Sequence, residues 1–90
     1  MLYEIEFTAR ATKDLRAIDP DIARRIVGKI SELQNGLSGD VKALVNFSSG
    51  FRLRVGDYRV LFDIDERERD KIRITVIVVQ RVRHRREVYR

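Results

Sequence analysis

The twelve residues from Phe51 to Phe62 constrain this chain more than any others. Phe51-Arg-Leu-Arg-Val55 alternates strictly, Gly56-Asp57 is a tight-turn dipeptide, and Tyr58-Arg-Val-Leu-Phe62 returns. Period-two alternation sends successive side chains to opposite faces of a strand, and a two-residue turn containing Gly joins such strands antiparallel. One face of this hairpin is apolar through Phe51, Leu53 and Val55 and must be covered. The other presents Arg52 and Arg54 together, roughly 7 Å apart, with Arg59 just past the turn. Tyr58 and Phe62 share a face with Val60 and read as core.

The cover lies upstream. Tyr3, Ile5 and Phe7 alternate as one side of a half-buried strand. Thr8 can cap a short helix in which Ala11, Leu15 and Ile18 form a stripe, while Arg10, Lys13, Asp14 and Arg16 face outward. Asp19-Pro20 stops that helix and restarts another, since Asp suits the cap and Pro the first helical position. Ile22, Ile26, Ile30 and Leu33 stripe the second helix, Val27 widens the stripe, and Gly36 ends it near Asn35. Residues 37–50, with Val41-Lys42-Ala43-Leu44 between Ser/Gly clusters, read as a connection with a short ordered turn. The polar run Asp65 to Asp70 reads as a second turn, and Ile72 to Val79 as a central strand.

The expected fold class is α+β: an N-terminal strand, an antiparallel helix hairpin over residues 9–35, then a three-stranded β-meander, forming one antiparallel sheet with helices on one face. Ninety residues suffice for one domain, 1–90, with a small core. No Cys and one His exclude disulfides, thiol chemistry and any His/Cys metal cage. The longest apolar run is Val76 to Val79, far too short for a membrane span, and a cytoplasmic location with no membrane partner is expected.

Charge is concentrated. The net charge is +5, yet residues 51–60 carry +2 and residues 81–90 carry +4, leaving the other seventy at −1. A clustered excess made of Arg points to a polyanion, because guanidinium is planar, permanently charged and forks onto phosphate oxygens. A solvated basic face is the plainer alternative. Arg52, Arg54, Arg59 and the segment Arg85 to Tyr89 can converge on one side of the sheet.

The succession of strand, helix hairpin, Phe51-Arg-Leu-Arg-Val-Gly-Asp-Tyr-Arg-Val-Leu-Phe62, central strand and closing His84-Arg-Arg-Glu-Val-Tyr89 resembles the RelE/ParE toxin superfamily along essentially the whole chain. The ending in Tyr89 is similar to the RelE branch, which cleaves mRNA, commonly in the ribosomal A site. ParE-like members instead poison gyrase and tend to lack the basic-plus-Tyr set. The resemblance implies a RelE-like fold, a catalytic set of Arg52, Arg54, Arg59, Arg85 and Tyr89, and RNA contacts from Arg81, Arg83, His84 and Arg86. It implies no cofactor and no metal. The strand positions 52 and 54 are often Lys in the family, and Arg83 stands where Gly is usual before His-Arg. An Arg cannot readily lose its proton, so neither Arg52 nor Arg54 can serve as a base.

Metal-independent RNA cleavage requires the 2′-hydroxyl deprotonated, the phosphorane stabilised and the 5′-oxygen protonated. Arginines serve only the second need, leaving Tyr89 and His84 for proton transfer. An ordinary tyrosine, with a pKa of about 10, is only about a thousandth ionised at neutral pH, whereas histidine titrates in the useful range. Two readings compete with this type II toxin: a ParE-like, non-enzymatic gyrase inhibitor, and a plain RNA-binding module. The second is weakened because the sheet lacks the aromatic pair expected on an RNA-reading face. The expected partners are mRNA, the ribosome, and a cognate antitoxin whose acidic amphipathic tail lies along the helix hairpin and sheet edge and displaces or buries residues 81–90.

Overall fold

The structure, a computed structural model, describes residues 3–37 and 39–88. Strand β1 (Glu4–Phe7) leads into helix α1 (Ala9–Arg16). The Thr8 hydroxyl caps α1 by accepting from the Ala11 N–H at 3.1 Å, and donates to the Gln80 carbonyl at 3.0 Å. Helix α2 (Pro20–Glu32) opens as the sequence demands: Asp19 accepts from the Asp21 N–H at 2.9 Å, and Pro20 occupies the first turn. It tightens into a 3-10 turn (Leu33–Asn35) and ends at Gly36, whose φ of +133° suits a residue without Cβ. Strands β2 (Val41–Ala43), β3 (Phe51–Val55), β4 (Tyr58–Arg69) and β5 (Ile72–His84) follow, and a single turn, α3 (Arg85–Val88), closes the described chain.

The sheet order is β1-β5-β4-β3-β2. The β3-β4-β5 meander and the placing of β1 beside β5 agree with the sequence reading, and the α+β class holds. Three details differ. First, β1 pairs with β5 in parallel, Glu4 opposite Val76 through Phe7 opposite Val79, so the sheet is mixed, not wholly antiparallel. Two helices and three strands lie between these partners in sequence, and no local turn fixes their mutual direction. Second, Val41–Ala43 is a strand, antiparallel to β3, where a connection was expected. Third, the charged run 65–69 is not a turn. It continues β4 against Ile72 to Val76, and the turn is Asp70-Lys71, both at positive φ (52° and 67°). That is the signature of a two-residue hairpin turn that matches strand twist.

All the helical cover lies on one face. Ala11 from α1, Ile26 and Ile30 from α2, and Leu33 join Leu53, Val55, Val60, Phe62, Ile77, Val79 and Val82 in one buried cluster. A bulge in β5 makes this possible. Leu61 opposes Arg81 and Phe62 opposes Val79, leaving Gln80 as the extra residue. Without that extra residue Val79 and Val82 would face opposite ways. On the other face Val76 and Val78 are only 2% and 8% exposed. Arg67 bridges Glu6 at 2.6 Å and Asp65 at 3.0 Å, and Arg69 bridges Glu4 at 3.0 Å, so ion pairs from β1 and β4 span the intervening β5. Arg67 thereby holds the Glu6 carboxyl below its ordinary range.

Candidate nucleic-acid interface

Register fixes the composition of the face turned away from the helices. Arg54 on β3 lies opposite Arg59 on β4, and Arg59 lies opposite Arg83 on β5. Neighbouring positions across a sheet have Cβ atoms about 5 Å apart, and like charges placed so are destabilising. A second row runs beside it: Lys42 on β2, Arg52 on β3, Leu61 on β4 and Arg81 on β5. Asp40 sits at the end of the first row, its carbonyl accepting from the Arg54 N–H at 2.9 Å.

The guanidiniums fall into two groups. Arg59 is 7% exposed, and its Nη1 donates to the carbonyls of Gly56 and Tyr58, both at 3.0 Å, bracing the β3–β4 turn. Gly56 takes φ +57° there, a conformation that favours glycine. Arg52 donates to the Asp40 carboxylate at 2.9 Å and to its carbonyl at 2.8 Å. Arg81 forks onto the Asp14 carboxylate at 2.8 and 3.1 Å, and Arg83 pairs with Glu87 at 3.1 Å. These four are held in place. Arg54, which approaches Asp40 only to 3.9 Å, and Arg85, which approaches Asp57 only to 3.8 Å, keep exposed heads. Lys42 and Arg86 are exposed as well.

The anions respond to this field. The hydrogen bond from Arg52, with the nearby charges of Arg52, Arg54 and Arg59, holds the Asp40 carboxyl below its ordinary range against a desolvation cost. Burial pushes Asp14 up, but the hydrogen bonds from Arg81 and from the Val82 N–H outweigh it and leave the carboxyl depressed. Glu87 is held down by Arg83 and by the His84 N–H.

Of the residues expected at the site, Arg52, Arg54, Arg59, Arg81 and Arg83 share one face. Arg85 joins them at the β3–β4 turn, its N–H donating to the Asp57 carbonyl at 2.7 Å. His84 leaves that face by register, although it lines a cleft at the β5 edge with Arg81 and Arg83. It opposes Tyr58, on the helix side, where the rings meet edge to face at 5.4 Å, and its Nδ1 accepts from the Arg86 N–H at 3.2 Å. Tyr89 lies outside the described residues. Lys42 and Asp40 were not anticipated, because Val41-Lys42-Ala43 is too short for its alternation to register as a strand. Among the described residues no cluster of His, Cys, Asp and Glu could hold a metal ion, and no helix is long and apolar enough to cross a membrane.

Comparison with known proteins agrees with this architecture. Residues 5–89 match the family model described as ParE toxin of type II toxin–antitoxin system. The curated relatives include toxin RelG of Mycobacterium tuberculosis, 30% identical with 100% of this chain and 99% of the relative covered. Toxin RelE3 of Methanocaldococcus jannaschii is 29% identical, with 96% and 94% covered. Among solved structures, a chain of the toxin–antitoxin complex RelBE2 from Mycobacterium tuberculosis superposes with a TM-score of 0.75 at 31% identity, covering 94% of this chain and 100% of that one. With a matching family model over almost its full length and RelE-named relatives of the same size and fold, this chain belongs to the RelE/ParE superfamily of type II toxins, on its RelE-like branch.

Proposed function

We propose that this toxin is a metal-independent endoribonuclease that cuts mRNA in association with the ribosome. The observation that carries the reading is the row Arg54, Arg59, Arg83 across three adjacent strands, flanked by Arg52 and Lys42 and faced by Asp40. Like charges side by side on a sheet are destabilising on their own, and a phosphodiester is an anion that arginine forks fit. Arg52 and Arg83 each also keep a buried Nε–H with no acceptor among the described residues.

In this reading Arg54 and Arg85, with exposed heads, close on the scissile phosphate, while Arg52 and Arg59 are pre-set by their contacts and add field. The 2′-oxygen attacks phosphorus, giving up its proton. The bond from phosphorus to the 5′-oxygen breaks, and that oxygen takes a proton. The products are a 2′,3′-cyclic phosphate and a 5′-hydroxyl. The guanidiniums offset the charge that accumulates on the phosphorane. The resemblance of the chain's ending to the RelE branch assigns proton transfer to Tyr89, with Arg81, Arg83, His84 and Arg86 steering the strand. The reaction belongs where ribosomes and mRNA are, in the cytoplasm.

Idle toxin needs a cover, and the RelBE2 relative was solved as a toxin–antitoxin complex. By the same logic this chain pairs with a cognate antitoxin whose acidic, amphipathic tail lies over the arginine face and residues 81–90. The test is purified toxin with translating ribosomes and an mRNA, set against toxin with gyrase and plasmid DNA. Cleavage of the message with intact DNA topology supports the reading. Trapped or broken plasmid with an intact message would replace it by gyrase inhibition.

A further inference from the structure

We infer that Phe47 is a stacking platform for a base of the bound RNA, beside a cleft that holds the adjoining nucleotide. The inference rests on the ribonuclease reading and adds to it the part of the surface that grips the strand away from the cut.

The β2–β3 connection, residues 44–50, is anchored at its base. The Leu44 N–H donates to the Gly50 carbonyl at 2.8 Å, and the Gly50 N–H donates to Asp63 Oδ1 at 2.6 Å. Asp63 lies two residues after Leu61 on the arginine face, and its other oxygen accepts from Gln80 at 3.3 Å. Ser49 is buried. Above this base the loop is apolar and bare: Val45 is 77% and Phe47 44% exposed, with Asn46 between them in the left-handed conformation that Asn tolerates. A tied loop that exposes a phenyl ring loses apolar burial unless something flat covers that ring.

The surroundings indicate what covers it. Ser48 and Ser49 line a cleft with Arg10, Gln80 and Arg81. Arg81 is held by Asp14, whereas Arg10 makes no ion pair among the described residues. On the other side the loop springs from the strand that carries Lys42, opposite Arg52. An exposed aromatic ring on a loop that runs from the strand bearing Lys42 to a cleft lined by Arg10, Arg81 and two serines matches the chemistry of single-stranded RNA, whose bases stack on aromatic rings while its phosphates pair with Arg and Lys. The sheet itself has no exposed aromatic pair, and this loop supplies a ring at its margin.

The test uses the full toxin and an RNA 2′-O-methylated so that it cannot be cut, presented free and in programmed ribosomes. Phe47→Ala should weaken RNA binding about tenfold, the scale of base-on-aromatic stacking. Phe47→Trp should restore it, with antitoxin affinity and melting temperature unchanged in both variants. Wild-type affinity in Phe47→Ala would overturn the inference and leave the ribonuclease reading standing. So would lost antitoxin binding with intact RNA binding, which would assign the ring to the protein partner. A wild-type toxin that binds the RNA in neither form would overturn both.

Discussion

At the scale of single residues, arginine at positions 52 and 54 limits what the sheet could contribute to the proposed ribonuclease chemistry. A lysine could shuttle a proton, but a guanidinium stays charged and can only bind and stabilise. Arg85, with its exposed head at the β3–β4 turn, is the residue whose loss should cost most with least damage to the fold. Arg85→Ala should lower cleavage by about 10²–10³-fold, the usual effect of deleting one donor to a developing oxyanion, at an unchanged melting temperature. Full activity in a folded variant would remove Arg85 from the site. The basic triplet 52, 54 and 59 was legible because strict alternation about Gly56-Asp57 leaves no other register. The side of the sheet that His84 faces was not legible. Counting by twos from Val79 would put Arg81 and Arg83 with the core, and only the bulge at Gln80 sends them to the opposite face and His84 to Tyr58.

At the scale of elements, α1 matters as much for the edge it closes as for the core it covers. β1 ends at Phe7 opposite Val79, and beyond that point the edge of β5 is met by Asp14, which accepts from the Val82 N–H at 2.9 Å while holding Arg81. Asp14→Ala leaves both donors without their acceptor and should destabilise the fold by about 2 kcal/mol, lowering the melting temperature by on the order of 10 °C in a domain of this size. The same contact sets an acid limit. Because the folded Asp14 carboxyl is depressed from 3.8, its contribution is complete above that value and is lost as pH falls through the lower, folded value. Stability of the wild type should therefore decline below about pH 4, and the Asp14→Asn variant should show a shallower decline in a pH series of thermal melts. Sequence reasoning missed this link because an outward Asp on a short helix reads as a solvated charge. It likewise took the run from Asp65 to Asp70 for a turn. The ladder to β-branched Ile72, Ile74 and Thr75, with ion pairs reaching Glu4 and Glu6, makes that run a strand.

At the scale of the whole molecule, one sheet is used two ways. Its helix side is a dry cluster from three helical segments, and its other side divides into an ion-paired half over Val76 and Val78 and an arginine half. Among the described residues, the exposed cationic heads of Lys42, Arg54, Arg85 and Arg86 gather on the second half. If Lys42, Arg54, Arg85 and Arg86 take about four phosphates, the logarithm of RNA affinity should fall with the logarithm of salt at a slope of about −3. A slope near zero would mean that the strand is gripped elsewhere. The central claim is that this face performs phosphoryl transfer through the RNA's own 2′-hydroxyl, without a metal. The most direct measurement is the chemistry of the ends left on an mRNA cut by purified toxin on ribosomes, with the toxin first stripped by a chelator and the magnesium needed by the ribosomes restored. A 2′,3′-cyclic phosphate and a 5′-hydroxyl, absent with the Arg54→Ala, Arg85→Ala double variant, are the predicted result. A 5′-phosphate end, or cleavage that persists in the double variant, would contradict it.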